Sequence, residues 1–296
     1  MNSKLKNLIT RTITGILFVA VMVTGICMRG DAMVLLFALI TGLTIWEYTG
    51  LVNEVKDVTV NRFISTAAAV YLFLAMAGFC ADVVPSAAFI PYLLTIVYLF
   101  VSELYTGNKN AIHDWAYTML GQMYVALPFS CINVLGFQQD PSNGQTVYNW
   151  LLPMSIFIFL WLNDTGAYCS GSLFGKHKLF PRISPAKTWE GSIGGGLFVL
   201  LAAGMIGYAT TANESLLSPF AGENQAAVII KWLGLGLTVV FFGTWGDLVE
   251  SLFKRTLGIK DSGNILPGHG GMLDRFDSSL MAIPAAVVYL YTLSLF

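Results

Sequence analysis

Runs of apolar residues of near-constant length recur along the chain, separated by short polar stretches. They cover 12–28, 33–51, 63–80, 87–101, 115–135, 150–168, 192–209, 226–248 and 279–296, nine in all. A helix needs about 20 residues to cross about 30 Å of hydrocarbon, and the shorter runs reach that length through their polar ends. The runs are continuously apolar, whereas the strands of a membrane barrel would alternate and be about half as long. The pattern therefore predicts an all-α, polytopic integral membrane protein with about nine transmembrane helices.

Composition agrees with that solvent. Of 296 residues, 55% are hydrophobic and only 11% charged, against about 25% charged in an ordinary soluble domain. This excludes a disordered chain and a normal soluble enzyme. Sixteen Lys and Arg against 17 Asp and Glu also exclude a nucleic-acid binder with a broad basic surface. Cys27, Cys80, Cys131 and Cys169 have no CxxC spacing and read as small apolar residues. The first run follows Lys4, Lys6 and Arg11 without an A-x-A-like cleavage site, so it is read as a retained span. With the N-terminus cytoplasmic and nine spans threaded, 14 of the 16 Lys and Arg fall on the cytoplasmic side, all but Arg29 and Lys231. The positive-inside rule then places the C-terminus outside. The expected location is the inner (plasma) membrane, with chemistry facing the cytoplasm. The chain reads as one membrane domain over 1–296: apolar N-terminal spans in 1–140, and spans carrying the polar motifs in 141–296.

Charge is concentrated on that side. Fifteen of the 33 charged residues lie in 163–190 and 247–277, 59 positions together. Glu47, Glu103, Asp164, Glu190, Asp247 and Glu250 lie in or beside spans, at cytoplasmic ends in this threading. Carboxylates at membrane depth are costly and normally face a polar cavity with a partner, so the six are expected to share one.

The densest stretch runs from Asp247 to Asp277. Asp247, Glu250, Ser251 and Lys254 have the i, i+3, i+4, i+7 spacing of one helix face. Asp274 and Asp277, three apart, are expected on one face at the start of the last span. Between these acids lies a Gly- and Pro-rich loop with Lys260, His269, Gly270 and Gly271, where backbone N–H groups can approach a ligand closely. Carboxylates beside Lys and Arg suit Mg²⁺ with a nucleoside triphosphate: the metal takes one or two carboxylates plus phosphate oxygens, and the cations take the remaining charge. The competing reading is a set of ion pairs tying two helix ends together.

The stretch Ser251-Leu-Phe253-Lys254-Arg255, Lys260-Asp261, His269-Gly270-Gly271-Met272-Leu-Asp274-Arg275-Phe276-Asp277 resembles the signature of the CDP-diacylglycerol synthases, the phosphatidate cytidylyltransferases. Asn163-Asp164-Thr165-Gly166-Ala167-Tyr168 and Ser184-Pro185-Ala186-Lys187-Thr188-Trp189-Glu190-Gly191 are similar to two further family segments, with Ala186 where the family usually has Lys. The resemblance covers about the C-terminal half. It implies transfer of CMP from CTP to phosphatidate, for phospholipid synthesis, with Mg²⁺ and room for a second cation. Asp247, Asp274 and Asp277 become metal ligands. Lys254, Arg255, Lys260 and Arg275 bind phosphates, and His269 contacts a phosphate or orients a carboxylate. Ser251, Gly270, Gly271, Lys187, Glu190 and Asp164 belong to the substrate site, the last three at its rim. The resemblance also suggests a homodimer, while the charge balance already argues against a nucleic-acid partner. Two other readings stay open: another CTP-using lipid enzyme (polyprenol kinase or CDP-archaeol synthase type), and an ion-coupled transporter. Gly191, Gly194, Gly195 and Gly196 read as a helix-packing stripe rather than a phosphate loop.

Overall fold

A computed structural model describes residues 3–107, 110–140, 143–212, 219–220, 222–265, 268 and 270–294, with backbone alone for 3–8. In chain order the helices are α1 (Ser3–Met28), α2 (Gly30–Val52), α3 (Arg62–Cys80), α4 (Ile90–Thr106), α5 (Ala111–Gly121), α6 (Leu127–Ser130), α7 (Ile132–Gly136), α8 (Leu151–Phe174), α9 (Trp189–Ala212), α10 (Gln225–Thr256), α11 (Met272–Phe276) and α12 (Ser279–Leu293). Two small antiparallel hairpins interrupt them, β1 (Phe137–Gln139) with β2 (Thr146–Tyr148) and β3 (Lys178–Phe180) with β4 (Ser184–Thr188). The alternation of apolar positions did not announce these short strands.

Among the described residues, eight helical stretches are long and apolar enough to cross a membrane. The run 150–168 forms α8, 24 residues long, whose C-terminal half is made more polar by Asn163, Asp164 and Ser170. The protein is thus an all-α, multi-pass membrane protein. In Ser86–Thr106 only 6% of the apolar window is buried inside the protein. Leu93, Leu94, Val97 and Leu104 are exposed there, which lipid tolerates and water does not.

The chain forms two compact units, 1–148 with 256–276, and 149–255 with 277–296. In the first, α5 continues toward α6 through one π turn at Gln122–Ala126. Pro128 has no N–H to give and its ring crowds the carbonyl one turn back, so the helix widens just before it. The Phe276 ring packs edge-on against Phe18, Phe37 and Phe129, with centroids 5.8, 6.5 and 5.4 Å away. That cluster anchors α11 in this unit.

In the second unit, small residues let α8 and α9 meet backbone to backbone. A Cβ on Gly195 would lie 2.5 Å from the Asn163 carbonyl oxygen, and one on Gly191 would lie 2.9 Å from that of Ala167. The packing role read for this glycine stripe is what it performs. Gly246 on α10 does the same for the turn before α12: a Cβ there would lie 2.7 Å from the Asp277 carbonyl oxygen. The turn therefore lies against α10 one residue before Asp247.

Candidate active site

The second unit contains a cavity of about 360 Å³, within the usual range for small-molecule sites. Helix α8 contributes Asn163, Asp164 and Tyr168, β4 contributes Lys187 and Thr188, α9 contributes Ser192 and α10 contributes Thr244. The β3–β4 hairpin carries Lys187 to the cavity, and the Thr188 hydroxyl accepts from the Gly191 N–H (3.1 Å) as α9 begins. Lys187 Nζ lies 2.6 Å from Asp247 Oδ2, with the two side chains 25% and 28% exposed. Asp247 Oδ1 accepts from the Ser251 hydroxyl one turn on, at 3.2 Å. The i, i+4 spacing on α10 thus works as read.

Asp277 completes the group. It occupies the two-residue turn between α11 and α12, not a helix face shared with Asp274. Its Oδ1 accepts from the Ser278 N–H at 2.5 Å. It interacts electrostatically with Asp247, Asp164 and Lys187. Three carboxylates around one ammonium leave an excess of negative charge in a half-buried place, which a further cation would relieve. Among the described residues, no group of three or more His, Cys, Asp or Glu side chains is placed to hold a metal ion. Mg²⁺ does not require one, since it binds through one or two carboxylates and completes its shell with water and phosphate oxygens. The hard-oxygen donors present fit that ion.

Other expected site residues are employed differently. Lys254 Nζ pairs with the fully buried Glu250 at 2.7 Å. Glu190 turns to the hairpin, where it accepts from the Lys176 N–H (3.2 Å) and meets His177 Nδ1 at 2.5 Å. Arg255 is exposed. In the first unit, Lys260 and Arg275 are exposed, and Asp274 Oδ2 accepts from the Ser262 N–H (2.8 Å), the Ser262 hydroxyl (2.9 Å) and the Gly271 N–H (2.9 Å). A Cβ on Gly270, whose φ is +84°, would lie 2.5 Å from that same oxygen, so this glycine has a conformational reason of its own. His269 lies outside the described residues.

The six span-end acids have different partners within their own units. Asp164 lines it and Asp247 pairs with its lysine. Glu250 is matched to Lys254 on its own helix, Glu103 accepts from Thr106 one turn on at 2.9 Å, and Glu47 binds backbone N–H groups within the first unit. Each acid found the nearest donors, because an unpaired carboxylate is costly wherever it is buried. Asn163, Ser192 and Thr244 were missed as lining residues. The Asn-Asp pair inside an apolar run was the available signal for the first; isolated Ser and Thr on helices gave none.

A multi-pass helical protein that places carboxylates and a lysine at one cavity is equipped to handle a charged substrate beside the bilayer. The chain belongs to the cytidylyltransferase family, whose model matches residues 9–293, and it is a nucleotidyltransferase. It is similar to the phosphatidate cytidylyltransferase of Staphylococcus aureus (strain COL), 34% identical over 278 residues, 93% of this chain and 95% of that one. The enzyme of the same name from Staphylococcus epidermidis (strain ATCC 12228) is also 34% identical over 278 residues. That of Staphylococcus haemolyticus is 33% identical over 277.

Proposed function

We propose that this protein transfers CMP from CTP to phosphatidate, giving CDP-diacylglycerol and pyrophosphate. The observation that carries the reading is the Lys187–Asp247 pair beside Asp277 and the cavity-lining Asp164, in a chain similar to phosphatidate cytidylyltransferases over nearly its whole length. An oxygen of the lipid phosphate attacks the α-phosphorus of CTP. The bond from that phosphorus to the bridging oxygen breaks, and pyrophosphate leaves with the electron pair. The nucleophile is already an anion, so no Ser, Cys or general base is needed; the difficulty is bringing one anion onto another.

Asp247 and Asp277 would hold Mg²⁺. Asp274 joins them in this reading through the motif alone, since its Oδ2 takes three hydrogen bonds from its own loop. When bound, the ion supplies neutralisation of triphosphate charge and polarises the phosphorus under attack. Lys187 meets phosphate oxygens with its ammonium group and holds Asp247 in place. Arg255, Lys260 and Arg275 are exposed cations suited to phosphate. Lys254, engaged with Glu250, steadies the end of α10. A homodimer and the absence of a nucleic-acid partner remain part of the proposal.

The test uses detergent-solubilised protein with phosphatidate, Mg²⁺ and CTP labelled in either the α- or the γ-phosphate. Label from the α-position should appear in the lipid, and label from the γ-position in pyrophosphate. Lipid labelled from the γ-position would make the protein a kinase. Acceptance of a polyprenol or an ether-linked lipid in place of phosphatidate would also overturn the reading.

CTP is highly charged and comes from the cytoplasm, whereas phosphatidate stays in the bilayer, held at about 0.8 kcal/mol per buried CH₂. The active site therefore faces the cytoplasm in this proposal, with the N-terminus on that side and the C-terminus opposite. A reporter fused after Phe296 should read as external, and one inserted among residues 176–187 as cytoplasmic. Both on the same side would refute the nine-span threading.

A further inference from the structure

The stretch 256–276 contains the middle of the motif, including Lys260, Asp274 and Arg275, and among its described residues five form helix α11. The described residues outside that helix need something to define their shape. Within the first unit, that something is Glu47 on α2. Its side chain is inside, with the residue 8% exposed. Oε1 accepts from the Ser262 hydroxyl at 2.5 Å and from the Leu273 N–H at 3.0 Å. Oε2 accepts from the Met272 N–H at 2.9 Å. One carboxylate thus ties the early part of the loop to the first turn of α11. Ser262 passes the connection on, because its N–H donates to Asp274 Oδ2 while its hydroxyl, with a single proton, lies within hydrogen-bond reach of both carboxylates.

The glycines of the loop fit this closure. A Cβ on Gly263 would lie 2.6 Å from Glu47 Oε2, and one on Gly271 would collide with the same carboxylate. Two glycines in the motif are therefore places where backbone closes over an acid more than two hundred residues earlier. All three donors point at acceptor oxygens, which an ionised carboxylate supplies and an amide cannot. A glutamine must turn its NH₂ toward one N–H or hydroxyl donor.

We infer that Glu47 is a positioning residue of the transfer reaction: it acts through Ser262, Met272 and Leu273 to hold the 256–276 loop in the shape that presents Lys260, Asp274 and Arg275. The inference rests on the proposed activity, because it assigns those loop residues to CTP. Hydrogen bonds to a charged group are among the strong ones, so Glu47→Gln should raise the KM for CTP about tenfold or more. Ser262→Ala, which breaks one of the links, should raise it about threefold, and Glu47→Asp should recover part of the loss.

The experiment measures initial rates against CTP at saturating phosphatidate and Mg²⁺ for these variants and the wild type in detergent, with thermal unfolding of each. A merely structural role lowers the number of folded molecules; it reduces the maximal rate and leaves KM where it was. A KM for CTP that does not move in Glu47→Gln overturns the inference, whether or not the maximal rate falls. Trypsin cleavage after the exposed Lys260 separates this from failure of the activity itself. If the wild type transfers nothing to phosphatidate, the proposed function falls. Cleavage that is faster in Glu47→Gln than in wild type then still supports the loop-holding role, and equal rates reject it.

Discussion

Asp247→Asn and Asp277→Asn should each give a folded protein whose turnover is lower by about a thousandfold or more. Removing a hard ligand from a phosphoryl-transfer site costs several kcal/mol of transition-state stabilisation, and each 1.36 kcal/mol is tenfold in rate. The fold should survive because neither carboxylate is part of the apolar core. Asp247 shares its oxygens between Lys187 and Ser251, and a partly exposed ion pair contributes on the order of 1 kcal/mol. Asp277 accepts from the adjoining Ser278 N–H, a contact that an amide oxygen can keep. Initial rates with an unfolding curve for each variant check this, together with a Mg²⁺ titration. Near-normal turnover in both would remove the metal assignment, and wild-type turnover in a chelator would remove the metal itself.

Lys187→Met should lower kcat/KM for CTP by about a hundredfold or more, a loss of roughly 3 kcal/mol of the kind expected for a charge-assisted contact in a half-buried site. The substitution keeps the unbranched stem of the side chain and deletes the only ammonium group that lines the cavity among the described residues. It also leaves Asp247, Asp277 and Asp164 to repel one another and the incoming triphosphate. Lys187→Arg should restore part of the activity, since charge is kept while reach and shape change. The 2.6 Å contact with Asp247 makes the two residues a unit. Combining Lys187→Met with Asp247→Asn should therefore cost much less than the two single effects together. Additive losses would mean that the pair does not act on the same substrate charge.

These effects were legible to different degrees beforehand. The pairing of Ser251 with Asp247, and of Lys254 with Glu250, follows from i, i+4 spacing on a helix, a local geometry that any helical segment imposes. The packing of Gly191 and Gly195 against α8 was legible because small residues repeated on a membrane helix face have few other uses. The turn at Asp277 was not. Three-residue spacing from Asp274 suggested one continuous face, but the segment breaks after Phe276, which lies among Phe18, Phe37 and Phe129. The use of Glu47 was equally hidden, because its partners Ser262, Met272 and Leu273 lie more than two hundred residues away.

The membrane solvent, the helical class, the approximate spans and the family motif are all legible in the order of residues alone. These depend on composition, on runs of about 20 apolar residues and on short-range spacing, all of which are properties of neighbouring positions. Which charges meet is a matter of packing. That packing brought Lys187 from a hairpin to Asp247 on α10, placed the turn of Asp277 against Gly246, and gave Glu190 to His177 rather than to the cavity. Each buried carboxylate must find donors, and within a folded unit the donors within reach are set by packing between distant segments, not by order along the chain.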